Sequence, residues 1–274
     1  MYLVEVFFSY DLTQAKQPTS LPTNQDAVGL INQIIEQWRY NGQIIGREFP
    51  IFYDEIDKTR SFHLRVICPE QQSLLPYYNN EHVNRTLIAA ADAGLFLHQI
   101  SLVAEDLNSN ISHQHESPSW QILYTTHLHT CSPLFSGDEF LPMPLYQTLR
   151  EHPALSMDLI KWQENWQACD QLQMNGAVLE QQALQQISDL DSPLSKHGYH
   201  LCQEITEATK IPTYYYLYHL GSRDHKQEKQ RKCPRCGQDW LLEKLLFNLF
   251  HFKCDRCRLV SNLSWYDEIE TNKN

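Results

Sequence analysis

Four cysteines restrict this 274-residue chain more than any other feature. They stand in "KCPRCG" (232–237) and "KCDRCR" (253–258) and follow the spacing C-x2-C-x17-C-x2-C. A Cys-x-x-Cys turn can bring two sulfurs to about 2.3 Å from one metal ion, and two such hooks fill the four corners of a tetrahedron. Pro234 stiffens the first hook, and Gly237 permits a positive φ after its second cysteine. In the second hook Arg258 stands where that glycine would be. The expected ligands are Cys233, Cys236, Cys254 and Cys257, holding one structural zinc, because four protein donors leave no position for a catalytic water.

Iron is the less favoured metal. Rubredoxin also uses "CPxCG" hooks, but there both hooks usually end in glycine. His251, three residues before Cys254, reads as a strand residue and not as a ligand. The other cysteines (Cys68, Cys131, Cys169 and Cys202) are single and scattered. With no export signal at the start, they read as buried thiols of a cytoplasmic protein. No run approaches the ~18 apolar residues of a spanning helix, so no membrane partner is expected.

The net charge of -11 is unevenly spread. Residues 221–258 carry ten Lys and Arg against five acids, a net of +5. Residues 259–274 carry -2, which leaves -14 on residues 1–220. An acidic body and a basic end are electrically distinct.

Along the first hundred residues the pattern is β-α-β-β-α-β. Strands are expected at 2–10, 43–53, 61–68 and 95–105, with a charged turn around "DEIDKTR". Ala27, Ile31, Ile34, Ile35 and Trp38 lie at helical spacing, with Asn24 as cap and Gly42 as stop, and a second helix ends at Gly94. That order matches the split βαβ, ferredoxin-like unit.

Residues 106–119 read as a loop and "WQILYTTHLHT" as a strand. Helices follow from Leu155 to about Thr209, with breaks near 174 and 191, and then a strand at 211–220. Residues 221–232 are charged and without apolar period, which predicts a hinge. The expected fold is therefore α+β: a ferredoxin-like unit (1–105), a strand-plus-helical region (120–220) and a zinc ribbon (229–266) with a strand or a short helix at 241–249.

Two further signals carry little. "THLHTC" places His127, His129 and Cys131 on one face of the expected strand, but same-face neighbours sit ~7 Å apart and do not converge on one ion without a bend. "SGDEF" lacks the first glycine of the cyclase signature, so Asp138 and Glu139 read as solvated. With no G-x-S-x-G, Walker loop, G-x-G-x-x-G or H-E-x-x-H, an enzyme is the less favoured class.

At "IPTYYYLYHLG", "RKCPRCGQDW" and "FHFKCDRCRLVSNLSW", and upstream at "WQACDQLQM" and "PLYQTL", the chain resembles an uncharacterised bacterial family described as zinc-ribbon-containing. The resemblance implies zinc at the four cysteines, and nucleic-acid binding as an inference from the ribbon. On that reading Arg223, Lys226, Lys229, Arg231, Lys232, Arg235, Lys253, Arg256 and Arg258 contact phosphates of RNA or single strands, while exposed Tyr214, Tyr216 or Trp240 stack on bases. The competing expectation is a protein-protein adaptor that docks through the ribbon.

Overall fold

The computed structural model describes residues 1–11, 23–56, 59–113, 117–221 and 224–264. The chain is α+β and divides into two compact units. One comprises Met1–His115, Thr130–Leu134 and Leu141–Ile160, and the other Glu116–His129, Phe135–Phe140 and Lys161–Asn274.

In the first unit β1 (Tyr2–Tyr10), β2 (Ile51–Ile56), β3 (Thr59–Cys68) and β4 (Leu95–Glu105) form a sheet of order β2-β3-β1-β4. Every neighbouring pair is antiparallel. Alternation along β1 and β3 turns Val4, Val6, Phe8, Phe62, Leu64 and Val66 to one face, where α1 (Asn24–Asn41) and α2 (Glu81–Asp92) add Ile31, Ile34, Trp38, Val83 and Ala90. Each buried large apolar side chain contributes about 1.5–3 kcal/mol.

Thr23, not Asn24, caps α1. Its hydroxyl accepts from the Asp26 N–H, and its own N–H donates to the Asp26 carboxylate at 2.8 Å. Gly42 ends the helix at φ +77°.

The expected strand at 43–53 is shifted to Ile51–Ile56, with a lone bridge from Ile45 to Ile67. The Gln43 side chain is fully buried and donates to Ser73 O (2.8 Å) and Asn79 Oδ1 (3.0 Å). Between that bridge and β2, Gly46 at φ +123° and Pro50, which has no N–H to donate, interrupt the ladder. The expected charged turn is largely strand, and its tip at 57–58 lies outside the described residues.

Among the later elements, β5 (Gln121–Leu123), β6 (Leu134–Ser136), the short α3 (Leu145–Thr148), α4 (Pro153–Asn175), α5 (Glu180–Ser188) and α6 (Pro193–Thr209) lead to β7 (Thr213–Tyr216). The strand expected over 120–130 stops at Leu123. Beyond it the backbone binds α4: His127 N–H donates to the Asp170 carboxylate (2.8 Å), and Gln167 donates to the carbonyls of Thr126 and His129.

After β7 come α7 (His225–Lys229), β8 (Leu241–Leu246), β9 (Phe250–Cys254) and β10 (Leu259–Ser261). The second sheet runs β6-β5-β7-β10-β9-β8. β7 is parallel to both β5 and β10, while β10, β9 and β8 are antiparallel.

The cysteine-bearing hairpin therefore extends the same sheet as the middle region, and residues 241–249 are strand and turn rather than helix. Phe247 and Asn248, at φ +54° and +56°, make the tight turn that joins β8 to β9.

The expected hinge at 221–232 is corrected where it is described. His219 Nε2 meets the buried Glu228 carboxylate of α7 at 2.7 Å, and Gly221 N–H donates to Ser264 Oγ. A Cβ on Gly221 would come within 2.3 Å of both Glu228 Oε1 and His219 Nε2, so only glycine fits beneath that pair.

Candidate metal centre

Both hooks fold by local backbone rules. In the first, Cys233 N–H donates to Gln238 O and Gly237 N–H donates to Cys233 O, each at 2.9 Å. Gly237 sits at φ +69°, and a Cβ there would meet nothing within 4 Å, so its glycine is required by conformation and not by space. The second hook leaves β9 at Cys254 and enters β10 after Arg258. Arg258 adopts φ +50°, the same left-handed conformation without the glycine. Such a residue costs about 1–2 kcal/mol; here the Arg258 guanidinium also donates to Thr206 Oγ1 on α6 at 3.2 Å.

The four Sγ atoms lie within 4.8 Å of one another, with Cys236 and Cys254 at 3.7 Å. Sulfurs about 2.3 Å from one tetrahedral ion are about 3.8 Å apart, whereas a disulfide needs about 2.05 Å. The donor set is entirely sulfur and fits one thiophilic ion. Cys233, Cys254 and Cys257 are at most 5% exposed, and Cys236 is half-buried. The Gln238 backbone N–H draws the Cys236 thiol down to about 7, while burial raises Cys254 and Cys257.

Among the described residues this is the only convergent group of three or more His, Cys, Asp or Glu. His251 is not part of it, since its Nδ1 accepts from Leu263 N–H. Nor do His127, His129 and Cys131 share a strand face. His127 Nδ1 pairs with Asp170 at 3.0 Å and His129 Nδ1 faces Thr126 Oγ1.

The basic residues around the hooks differ in their engagement. Lys226, Lys229, Lys232, Arg235 and Arg256 are exposed, Lys232 being paired with Asp239. Arg231 is half-buried between the rings of Trp240 (5.0 Å) and Phe252 (4.4 Å) and donates to Ser261 Oγ and Asn262 O. Lys253 lies over Trp120 and Tyr214 and is bound to Asp255. Arg258 is held by Thr206 as described. These three are built into the structure, and Arg223 lies outside the described residues.

The expected stacking residues are corrected as well. Tyr214, Tyr216 and Trp240 are 7%, 3% and 3% exposed and offer no open ring face. Their polar ends are satisfied by Asp255, Asn262 and Arg231 O respectively.

One neighbour of the hooks escaped sequence reasoning. Tyr199 of α6 donates to Cys257 O at 3.0 Å and carries the Arg235 guanidinium over its ring at 4.4 Å. Nothing in the sequence near Tyr199 points to a contact 58 positions away.

Three family models match the chain, each described as a domain of unknown function: DUF8589 over residues 1–104, DUF2310 over 115–218 and DUF8594 over 222–267. The sheet pairing of β7 with β10 crosses the boundary between the last two. An uncharacterized protein of Haemophilus influenzae is 56% identical over 266 residues, which is 97% of this chain and 99% of that protein. A second uncharacterized protein of the same organism is 56% identical over 200 residues, covering 73% of this chain and 94% of the relative. No solved structure matches. With identity at that level along nearly the whole of both chains, the protein belongs to the family of these Haemophilus influenzae proteins and carries the three domains of unknown function in series.

Proposed function

We propose that this is a non-enzymatic cytoplasmic zinc protein whose C-terminal ribbon contacts single-stranded nucleic acid, RNA above all. The ion is zinc, held by Cys233, Cys236, Cys254 and Cys257. Its task is to hold the two hooks, since a closed four-sulfur site has no room for a reacting water. The observation that carries the reading is that both hooks read Cys-x-Arg-Cys, and that Arg235 and Arg256, at the same position in each, are both exposed. Two guanidiniums projected from one rigid centre are matched to phosphates.

A second observation, in the first unit, favours single strands over duplex. On the face of the four-stranded sheet opposite the helices, Phe52, His63 and Phe7 are register partners across β2, β3 and β1. The His63 ring is 5.2 Å from Phe52 at 17°, and 5.7 Å from Phe7, and Phe52 is 49% exposed. Unpaired bases stack on such rings.

The strand order β2-β3-β1-β4 supports a ferredoxin-like assignment for residues 1–105. The boundaries of the family models support modules at 1–105, 120–220 and 229–266, the last two sharing a sheet.

Fluorescence anisotropy with single-stranded RNA, single-stranded DNA and duplex DNA tests the proposal on zinc-loaded protein. Affinity is expected to fall steeply with salt, and Arg235→Gln and Arg256→Gln are each expected to lower the slope by about 0.7. Phe52→Ala is expected to weaken RNA by about 1–3 kcal/mol. No binding to any nucleic acid at low salt, with recovery of one stoichiometric protein partner, would replace this reading by the adaptor.

A further inference from the structure

We propose that Cys236 is a site of oxidative modification by hydroperoxides, with Cys254 as its resolving partner, so that the metal centre also serves as a thiol switch. The inference rests on the reading of the four cysteines as a metal site. It does not depend on whether the ribbon binds nucleic acid.

Accessibility selects the residue attacked. Cys233, Cys254 and Cys257 are 1%, 5% and 5% exposed, and Cys236 alone of the four is half-buried. Oxidation follows thiolate character and exposure. A sulfur held as a metal ligand is a thiolate, so among four such sulfurs exposure decides.

Geometry selects the partner. Cys236 Sγ lies 3.7 Å from Cys254 Sγ across the two hooks. Within its own hook, Cys233 is fixed on both backbone sides by the bonds to Gln238 and Gly237. Cys254, at the end of β9 and paired with Leu259 of β10, stands in direct van der Waals contact with Cys236 from the opposite hook.

The step balances. The Cys236 thiolate attacks one peroxide oxygen, the O–O bond breaks, and a proton completes one water, leaving a sulfenic acid. The Cys254 thiolate attacks that sulfur and displaces hydroxide, which a second proton converts to water. Two thiolates, one peroxide and two protons give one disulfide and two waters; the sulfurs lose two electrons and the peroxide gains them. Cys233 and Cys257 then remain as two donors for an ion that needs four, and the ion is lost. Arg235 and Arg256 lose their rigid base at the same time, because each sits inside one of the hooks.

The sequence makes the test direct. Trypsin cuts after Lys232, Arg235, Lys244, Lys253, Arg256 and Arg258, which places the four cysteines on CPR, CGQDWLLEK, CDR and CR. Full-length zinc-loaded protein is treated with stoichiometric hydrogen peroxide, released zinc is read with a chromogenic chelator, and the alkylated digest is mapped. The expected result is CGQDWLLEK cross-linked to CDR, with one zinc released per cross-link. Timed alkylation of the untreated protein is expected to label Cys236 roughly ten-fold faster than the other three.

Cross-links CPR to CGQDWLLEK or CDR to CR, zinc retained through oxidation, or equal alkylation rates would each overturn the switch and leave the metal site standing. Protein purified without metal would overturn the metal reading, and the switch with it.

Discussion

With the four cysteines holding a metal ion as proposed, its removal should unfold more than the two hooks. The hairpin carrying the hooks contributes Phe250, Phe252, Leu259 and Val260, each 0% exposed, to the six-stranded sheet. At about 1.5–3 kcal/mol per side chain their burial amounts to about 6–12 kcal/mol. A structural zinc in such a site contributes about 10–16 kcal/mol. Either quantity rivals the ~5–15 kcal/mol that stabilises a whole domain.

Beyond the hairpin, Tyr215 N–H donates to Arg258 O and Leu217 N–H to Val260 O. If the hooks open, β7 loses its partner on that side, although it keeps β5 on the other. We therefore expect chelation to abolish amide protection of Tyr215 and Leu217 together with that of residues 250–261, while β1 and β3 of the first unit remain protected. Hydrogen exchange read by mass spectrometry, with and without a strong chelator, measures this. Persistence of Tyr215 and Leu217 protection after the hairpin has exchanged would refute the shared-sheet argument.

Other perturbations have definite signs. Gly198→Ala, favourable by about 1 kcal/mol in an ordinary helix, should destabilise by about 1–3 kcal/mol or more in a urea titration, because its Cβ would lie 2.5 Å from Trp162 Nε1 and from Tyr215 Cε2. Gly237→Ala should cost about 1 kcal/mol from backbone strain alone, whereas Arg258→Gly should change stability by less, since relief at φ +50° offsets loss of the Thr206 bond; equal costs would show that the two hooks do not share this conformation.

Burial, and next the Arg231 cation, lower the His219 imidazole below its ordinary value against the pull of Glu228. Its contribution is thus complete above about pH 6.5 and lost as pH falls through the folded value. The wild type should lose stability on acidification faster than His219→Gln, and parallel curves would refute that assignment.

The sequence alone determined the elements whose causes are local. Aromatic and β-branched content over 2–10 defined β1, helical spacing with a stop glycine defined α1, and two tight Cys-x-x-Cys turns defined the four sulfurs that converge. Such patterns depend on neighbours a few positions apart, so they are legible without the fold.

What the tertiary structure decided depends on partners far along the chain. The strand expected over 120–130 is cut short because Asp170, 43 positions on, takes the His127 N–H. Tyr216 reads as an aromatic strand residue that could face either way, until Asn262, 46 positions on, receives its hydroxyl inside the sheet. Arg231 and Arg235 are indistinguishable as letters in one basic run. The first is clamped between Trp240 and Phe252, and the second stands exposed at the turn of the hook, over Tyr199. Burial is a property of the assembled sheet, and pairing β10 to β7 determined which charges became part of the core and which were left exposed.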